Sequence, residues 1–252
     1  MTDMNAFVRA WEADGYLTGL DILTDAEVQN YRSLFDELEA NEGKGIAQIG
    51  LVDRHFDVKF VWDLATHPKI LRHAQFLLGP DVLLLATHFF CKYPKAEDKF
   101  VAWHQDVTYW GLEPAFAITA WLAIDDADQE NGCMRVIPGS HRGPILEHGK
   151  SSRSGNLLSI NQEIPDEMVD DGRAVDIVLK AGQMSLHHGK LIHGSNPNRS
   201  NRRRCGLTLR FVPTNVKQRE NNSLGRGWHP VLVSGQDTYH HFGEGRRPSF
   251  TL

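Results

Sequence analysis

The chain changes character at Val82, and this change limits the folds open to it. Before Val82, apolar residues recur at helical spacing. After Val82, short runs rich in strand formers cover 82–93, 101–106, 116–124, 133–137, 174–179, 183–186, 190–193 and 204–212. Asn131-Gly132, Pro138-Gly139, Ala181-Gly182 and Pro197-Asn198 punctuate them as turns. Helices first and many short strands afterwards predict a mainly β fold, a sandwich or jelly roll with a helical layer packed on it.

Within the first part, residues 4–14 predict a short helix burying Phe7, Val8 and Trp11, followed by an extended Gly15-Tyr16-Leu17. Thr24 to Asn41 is the clearest helix. Thr24 and Glu27 have capping-box spacing, Val28, Tyr31, Leu34, Phe35 and Leu38 form an apolar stripe, and Gly43 and Gly45 end it. Residues 46–62 are ambiguous and could be a loop carrying substrate contacts. His67-Pro68 opens another helix, which Gly79-Pro80 stops. The organisation expected is one domain over 1–252: N-terminal helices over about 4–79, a β core over about 82–213 and a C-terminal extension over about 217–252.

Composition excludes several classes of protein. A formal charge of −5 offers no general basis for nucleic-acid binding. No apolar run approaches the ~20 residues of a membrane span. The start, Met1-Thr2-Asp3-Met4, lacks a basic segment leading into an apolar one, so no signal peptide is expected. Three separated cysteines, Cys91, Cys133 and Cys205, suggest no disulfide framework, which makes a reducing cytoplasm the default location. Oligomeric state is not legible.

The chemistry centres on Trp103-His104-Gln105-Asp106. On an extended strand His104 and Asp106 share a face, and an imidazole with a carboxylate makes two-thirds of a metal site. His193, at the end of another strand-like run, is the best third ligand. Two histidines and a carboxylate with open positions suit non-haem Fe(II), which must also hold O2 and a co-substrate. Eleven residues further on lies Arg204, in a strand where Arg204, Gly206, Thr208 and Arg210 share one face and Cys205, Leu207, Leu209 and Phe211 the other. Arginines facing a barrel interior require anionic partners. The partner expected for Arg204 is a dicarboxylate such as 2-oxoglutarate. Arg202 and Arg203 read equally well as part of a solvated basic turn.

WHQD, the Asn131-Gly132-Cys133-Met134 turn, Pro138-Gly139-Ser140-His141, and His193-Gly194-Ser195 followed by Arg204 together resemble the phytanoyl-CoA dioxygenase family. The resemblance runs from about residue 7 to 216 and is densest over 88–213. It implies a double-stranded β-helix (a cupin-like jelly roll) and an Fe(II)/2-oxoglutarate-dependent dioxygenase, with ascorbate supportive in vitro. His104, Asp106 and His193 would bind iron, and Arg204 and Ser195 the distal carboxylate of 2-oxoglutarate. Trp121 and His88 would line the same pocket, although Trp121 also reads as a core aromatic and His88 as a hydrogen-bonded core histidine. Family halogenases replace the carboxylate with a small residue, so Asp106 favours hydroxylation over halogenation.

His187 and His188 are expected to support His193 rather than to act directly. The substrate expected is a small polar molecule, anionic or zwitterionic, of aminophosphonate or amino acid type. Tyr109 and Trp110 would wall it, and Arg210 would meet its anionic group or else pair with a strand neighbour. The alternatives are an acyl-CoA or lipid-like substrate, a non-catalytic jelly-roll binding protein, and a zinc hydrolase on a similar barrel.

Overall fold

The computed structural model describes residues 4–95, 97–219, 227–243, 246 and 248–250, without the side chains of residues 4, 5 and 109. Five helices come first: α1 (Met4–Asp14), α2 (Asp25–Glu42), α3 (Lys44–Ile49), α4 (Lys59–Ala65) and α5 (Pro68–Leu78), with strand β1 (Tyr16–Asp21) between α1 and α2. The capping box of α2 forms as its sequence predicts. The Thr24 hydroxyl accepts from the Glu27 backbone N–H at 3.3 Å, and the Glu27 carboxylate accepts from the Thr24 N–H at 2.8 Å. Residues 46–62, ambiguous in the sequence, are largely helical. The apolar stretch Phe60, Val61, Leu64 and Ala65 is buried in the main core, and this tertiary burial makes a helix of α4 despite its short length.

Strands β2 (Val82–Lys92), β3 (Val101–His104), β4 (Leu112–Glu113), β5 (Ile118–Ala123) and β6 (Met134–Val136) follow, with the one-turn helix α6 (Val107–Trp110) between β3 and β4. Then come β7 (Gly149–Lys150), β8 (Gln162–Glu163), β9 (Val175–Ile177), β10 (Gln183–His188), β11 (His193–Ser195), β12 (Arg204–Pro213), β13 (Lys217–Gln218) and β14 (Val231–Ser234). A six-stranded sheet has the order β1-β10-β5-β12-β2-β14, and a four-stranded sheet the order β3-β11-β6-β9. The named strand pairs in both are antiparallel. This is the jelly roll that the alternating strands and turns predict.

Alternation along the strands of the larger sheet separates two kinds of surface. Cys205, Leu207, Leu209 and Phe211 of β12, Ile118, Ala120 and Leu122 of β5, and Phe89 and Cys91 of β2 are fully buried in one cluster with Phe35, Val61, Leu64, Ile70 and Ala74 of the helices. Complete burial of each large side chain there contributes about 1.5–3 kcal/mol. The opposite face turns towards the smaller sheet and is polar: His88, Thr119, Trp121, His187, Arg204, Thr208 and Arg210 line a cavity between the two sheets. The C-terminal part closes this arrangement from two sides. β14 extends the larger sheet beyond β2, and Trp228 packs edge-on against Trp110.

Candidate active site

His104 ends β3 and faces His193, the first residue of β11, directly across the antiparallel ladder. Their ring centroids are 4.0 Å apart. Asp106 joins them by a route that strand alternation does not predict. β3 stops at His104, and Asp106 lies in a right-handed helical conformation at the entry to α6 (φ −54°, ψ −48°). A turn, rather than a shared strand face, swings its carboxylate back to the histidines. Asp106 Oδ1 is 3.6 Å from His104 Nε2 and 3.9 Å from His193 Nε2.

All three side chains are buried, and one ligand atom from each lies within 4.8 Å of the others. Each imidazole donates its Nδ1–H to the carbonyl two residues earlier, Ala102 or Leu191, at 2.9 Å. These bonds leave the Nε2 lone pairs turned inward. The second carboxylate oxygen, Oδ2, accepts from the Thr119 hydroxyl at 2.8 Å and from His187 Nε2 at 3.4 Å. Burial works against the Asp106 charge, but the hydrogen bonding around it and the nearby Arg210 charge outweigh it, so its carboxyl sits well below the usual range. Burial, with His104 and His187 beside it, pushes His193 well below the usual histidine value and keeps it neutral, the ligating form. Two imidazoles and one carboxylate oxygen facing one point fit a divalent ion that keeps open positions.

Arg204 occupies the far end of the same cavity. It is 3% exposed, its Nε donates to Gly132 O at 3.2 Å, its Nη1 donates to Phe90 O at 3.4 Å, and its guanidinium lies 5.5 Å from the Trp121 ring centre. Among the described residues no carboxylate forms an ion pair with it. Arg203 meets Asp36, Glu39 and Asp125, and Arg202 meets Asp128 and Glu130. The basic run is therefore not a plain solvated turn: two of its members are paired at or near the surface and the third is buried.

Gly206, next but one to Arg204, makes room for Trp121, since a Cβ there would lie 2.0 Å from the indole. Gly132, at φ +77°, presents its carbonyl to Arg204 from a turn pressed against Asn196 and Pro197.

The structure brings His104, Asp106, His193, Arg204, Ser195, Trp121, His88, Arg210 and Trp110 around one cavity of about 390 Å³. His88 contributes its ring but commits Nε2 to Ile49 O at 2.6 Å. Arg210 lies 5.3 Å over the Trp110 ring. The Tyr109 side chain is outside the described residues. His187, expected behind His193, instead donates to Asp106, with its ring 4.4 Å from that of His193. His188 packs against Trp11, Phe116 and His141, away from the cavity.

Sequence reasoning missed Thr119, Lys92, Leu158, Ile160 and Trp228, whereas Val52 lies in the 46–62 stretch expected to carry substrate contacts. A polar Thr119 between the apolar Ile118 and Ala120 was a usable signal, as was a lysine closing the apolar β2. The long connection carrying Leu158 and Ile160 offers no periodicity to read.

Comparison with known proteins agrees with this geometry. The phytanoyl-CoA dioxygenase (PhyH) family matches residues 11–206, a span that holds the three clustered side chains, Ser195 and Arg204. The chain belongs to this family. Bovine peroxisomal phytanoyl-CoA dioxygenase is 26% identical over 227 residues, covering 81% of this chain and 67% of that protein. A probable alpha-ketoglutarate-dependent hypophosphite dioxygenase of Stutzerimonas stutzeri is 28% identical over 173 residues, 67% of this chain and 57% of that one. The chain thus spans about two thirds, or less, of these relatives' length.

Among solved structures, the non-heme monooxygenase ThoJ superposes with a TM-score of 0.78 at 29% identity, over 96% of this chain and 88% of that one. The epimerase SnoN from nogalamycin biosynthesis shares the fold, with a TM-score of 0.68 at 24% identity over 86% and 85%. Among the described residues no helix is long and apolar enough to cross a membrane.

Proposed function

We propose that this member of the phytanoyl-CoA dioxygenase family is an Fe(II)- and 2-oxoglutarate-dependent hydroxylase of a small anionic or zwitterionic metabolite. The observation that carries this reading is one cavity with two ends. A buried His-Asp-His cluster lies at one end, and at the other a buried arginine has no carboxylate partner among the described residues.

His104, Asp106 and His193 would hold the iron. Iron and 2-oxoglutarate together supply oxidation by O2, with succinate and carbon dioxide as by-products and one oxygen atom delivered to a C–H bond. The chain's own residues orient and exclude. Thr119 and His187 hold Asp106 Oδ2, so that Oδ1 alone faces the histidines. Arg204 and Ser195 receive the distal carboxylate, and Trp121 walls that end. Asp106 keeps the third ligand position filled, which supports hydroxylation.

The substrate side carries Trp110, Trp228, Val52, Leu158 and Ile160, with Arg210 as its cation. An apolar wall with one guanidinium suits a compact molecule bearing a carboxylate or phosphonate. A cavity of about 390 Å³ that must also take the co-substrate favours a small substrate over the whole of an acyl thioester.

The test is succinate formation with Fe(II), ascorbate and O2 across a panel of amino acids, phosphonates and acyl thioesters. Stimulation by a small anionic compound is expected, and stimulation by acyl thioesters alone would overturn the substrate class. An anaerobic protein that holds Fe(II) but develops no visible chelate band with 2-oxoglutarate would sink the whole reading.

A further inference from the structure

Lys92 is the one charged residue among the largest fully buried side chains, and the proposed hydroxylase mechanism leaves it unused. It ends β2, directly opposite Arg204 of β12 in the antiparallel register, and it is completely buried. Two cations facing each other across a ladder repel, and neither forms an ion pair among the described residues. Lys92 does not line the cavity. Its Nζ instead donates to the Ser195 hydroxyl oxygen at 2.5 Å, to Asn196 O, and at 3.4 Å to Gly132 O. Gly132 O is also the acceptor that holds Arg204 Nε.

We infer that Lys92 is a positioning residue for the carboxylate end of the cavity, fixing Ser195 as a hydrogen-bond donor. The inference rests on the co-substrate assignment made above. A hydroxyl has one proton and two lone pairs. Because the ammonium occupies a lone pair of Ser195 Oγ, the Ser195 proton is directed away from Lys92, towards the cavity that Ser195 and Arg204 both line. The same ammonium ties the Gly132 carbonyl, and through it Arg204, to the Ser195-Asn196 backbone. One buried cation thus sets the relative placement of both groups that meet the anion. Burial and the neighbouring Arg204 both push the Lys92 ammonium well below its usual range. An arriving carboxylate opposes both effects and favours the protonated, donating form.

The experiment is anaerobic titration of the Fe(II)-loaded protein, following the chelate band, with two oxo acids. 2-Oxoglutarate has a distal carboxylate. 2-Oxobutanoate offers the same chelating end without it. Lys92→Met is expected to raise the Kd for 2-oxoglutarate about tenfold or more, the scale of a hydrogen bond to a charged group, and to leave 2-oxobutanoate unchanged. Ser195→Ala should show the same selectivity, and the loss in the double variant should be smaller than the product of the two single losses.

If Lys92→Met does not fold, Ser195→Ala carries the test by itself, and an unchanged Kd for 2-oxoglutarate there overturns the inference. Equal losses for both oxo acids in Lys92→Met would mean a merely structural lysine. Tighter binding of 2-oxoglutarate would mean a neutral amine that had been accepting the Ser195 proton. Either result refutes the positioning role. If wild type holds Fe(II) but gives no band with 2-oxoglutarate, the functional reading fails first.

Discussion

The two faces of β12 are both largely buried and are built for opposite purposes. On one face Cys205, Leu207, Leu209 and Phe211 meet the helices, and every one is fully enclosed by apolar neighbours. On the other Arg204, Thr208 and Arg210 meet a cavity. Burial on the helical side lowers the free energy of the fold. Burial of Arg204 raises it, because its guanidinium has given up water for two carbonyls at 3.2 and 3.4 Å and an aromatic face. The adjacent Arg203 reaches three carboxylates within 3.2 Å. Identical chemistry one residue apart is therefore met by carboxylates in one case and by none among the described residues in the other, which is why the proposed function gives Arg204 a ligand.

The comparison can be broken most severely at the metal end of the cavity face. Asp106→Ala should weaken Fe(II) binding and abolish hydroxylating turnover while leaving the melting temperature of the metal-free protein within a few degrees. Retained turnover would remove the carboxylate from the site. On the helical face, Leu209→Ala should cost about 2–5 kcal/mol in urea unfolding, with 2-oxoglutarate affinity unchanged in the folded fraction.

Arg204→Met should do the reverse. Its 2-oxoglutarate Kd is expected to rise about a hundredfold, from losing a charged bidentate partner, while stability holds or increases. A large loss of stability would show that the fold, rather than a ligand, satisfies Arg204. Gly206→Ala lies where the two roles meet. Its Cβ must displace Trp121 from 2.0 Å, which predicts a loss of about 1–3 kcal/mol together with weaker 2-oxoglutarate binding.

The mildest expected effect is on acid stability. His55 touches Thr87 on the face of β2 opposite to His88, and burial, with Arg246 next, lowers it to about 4. The unfolded chain takes up this proton near 6.5, so its contribution to stability is complete above pH 6.5 and is lost as the pH falls towards 4. The melting temperature should decline over that window, and less steeply in His55→Leu.

Period-2 alternation along β12 is legible in the sequence alone, because a sheet covered on both sides sorts its residues strictly by face. The same logic locates Arg204, which begins β12, but it puts His193 at the end of a strand over 190–193, whereas His193 begins β11. It fails for the way Asp106 arrives, since strand geometry cannot register where a ladder stops and a turn begins. Residues 46–62 are ambiguous in the sequence for a related reason. α4 is a helix because Phe60, Val61 and Leu64 find the core, and local propensity over so short a span is too weak to announce it. Lys92 and Thr119 are visible as polar residues in apolar strands, but their partners, Ser195 and Asp106, lie 103 and 13 residues away.

By itself the sequence determined which residue types face each other across β12, the division into helices and strands at Val82, and a ligand set of two histidines and a carboxylate. These follow from local periodicity and donor chemistry, which depend only on neighbours along the chain. Only the tertiary structure decided that, among the described residues, Arg203 is paired with carboxylates and Arg204 is not, that Thr119 and His187 share one oxygen of Asp106, and that Lys92 stands behind Ser195. Each depends on where distant segments meet, and the cost of a buried charge is set by the groups that surround it in space.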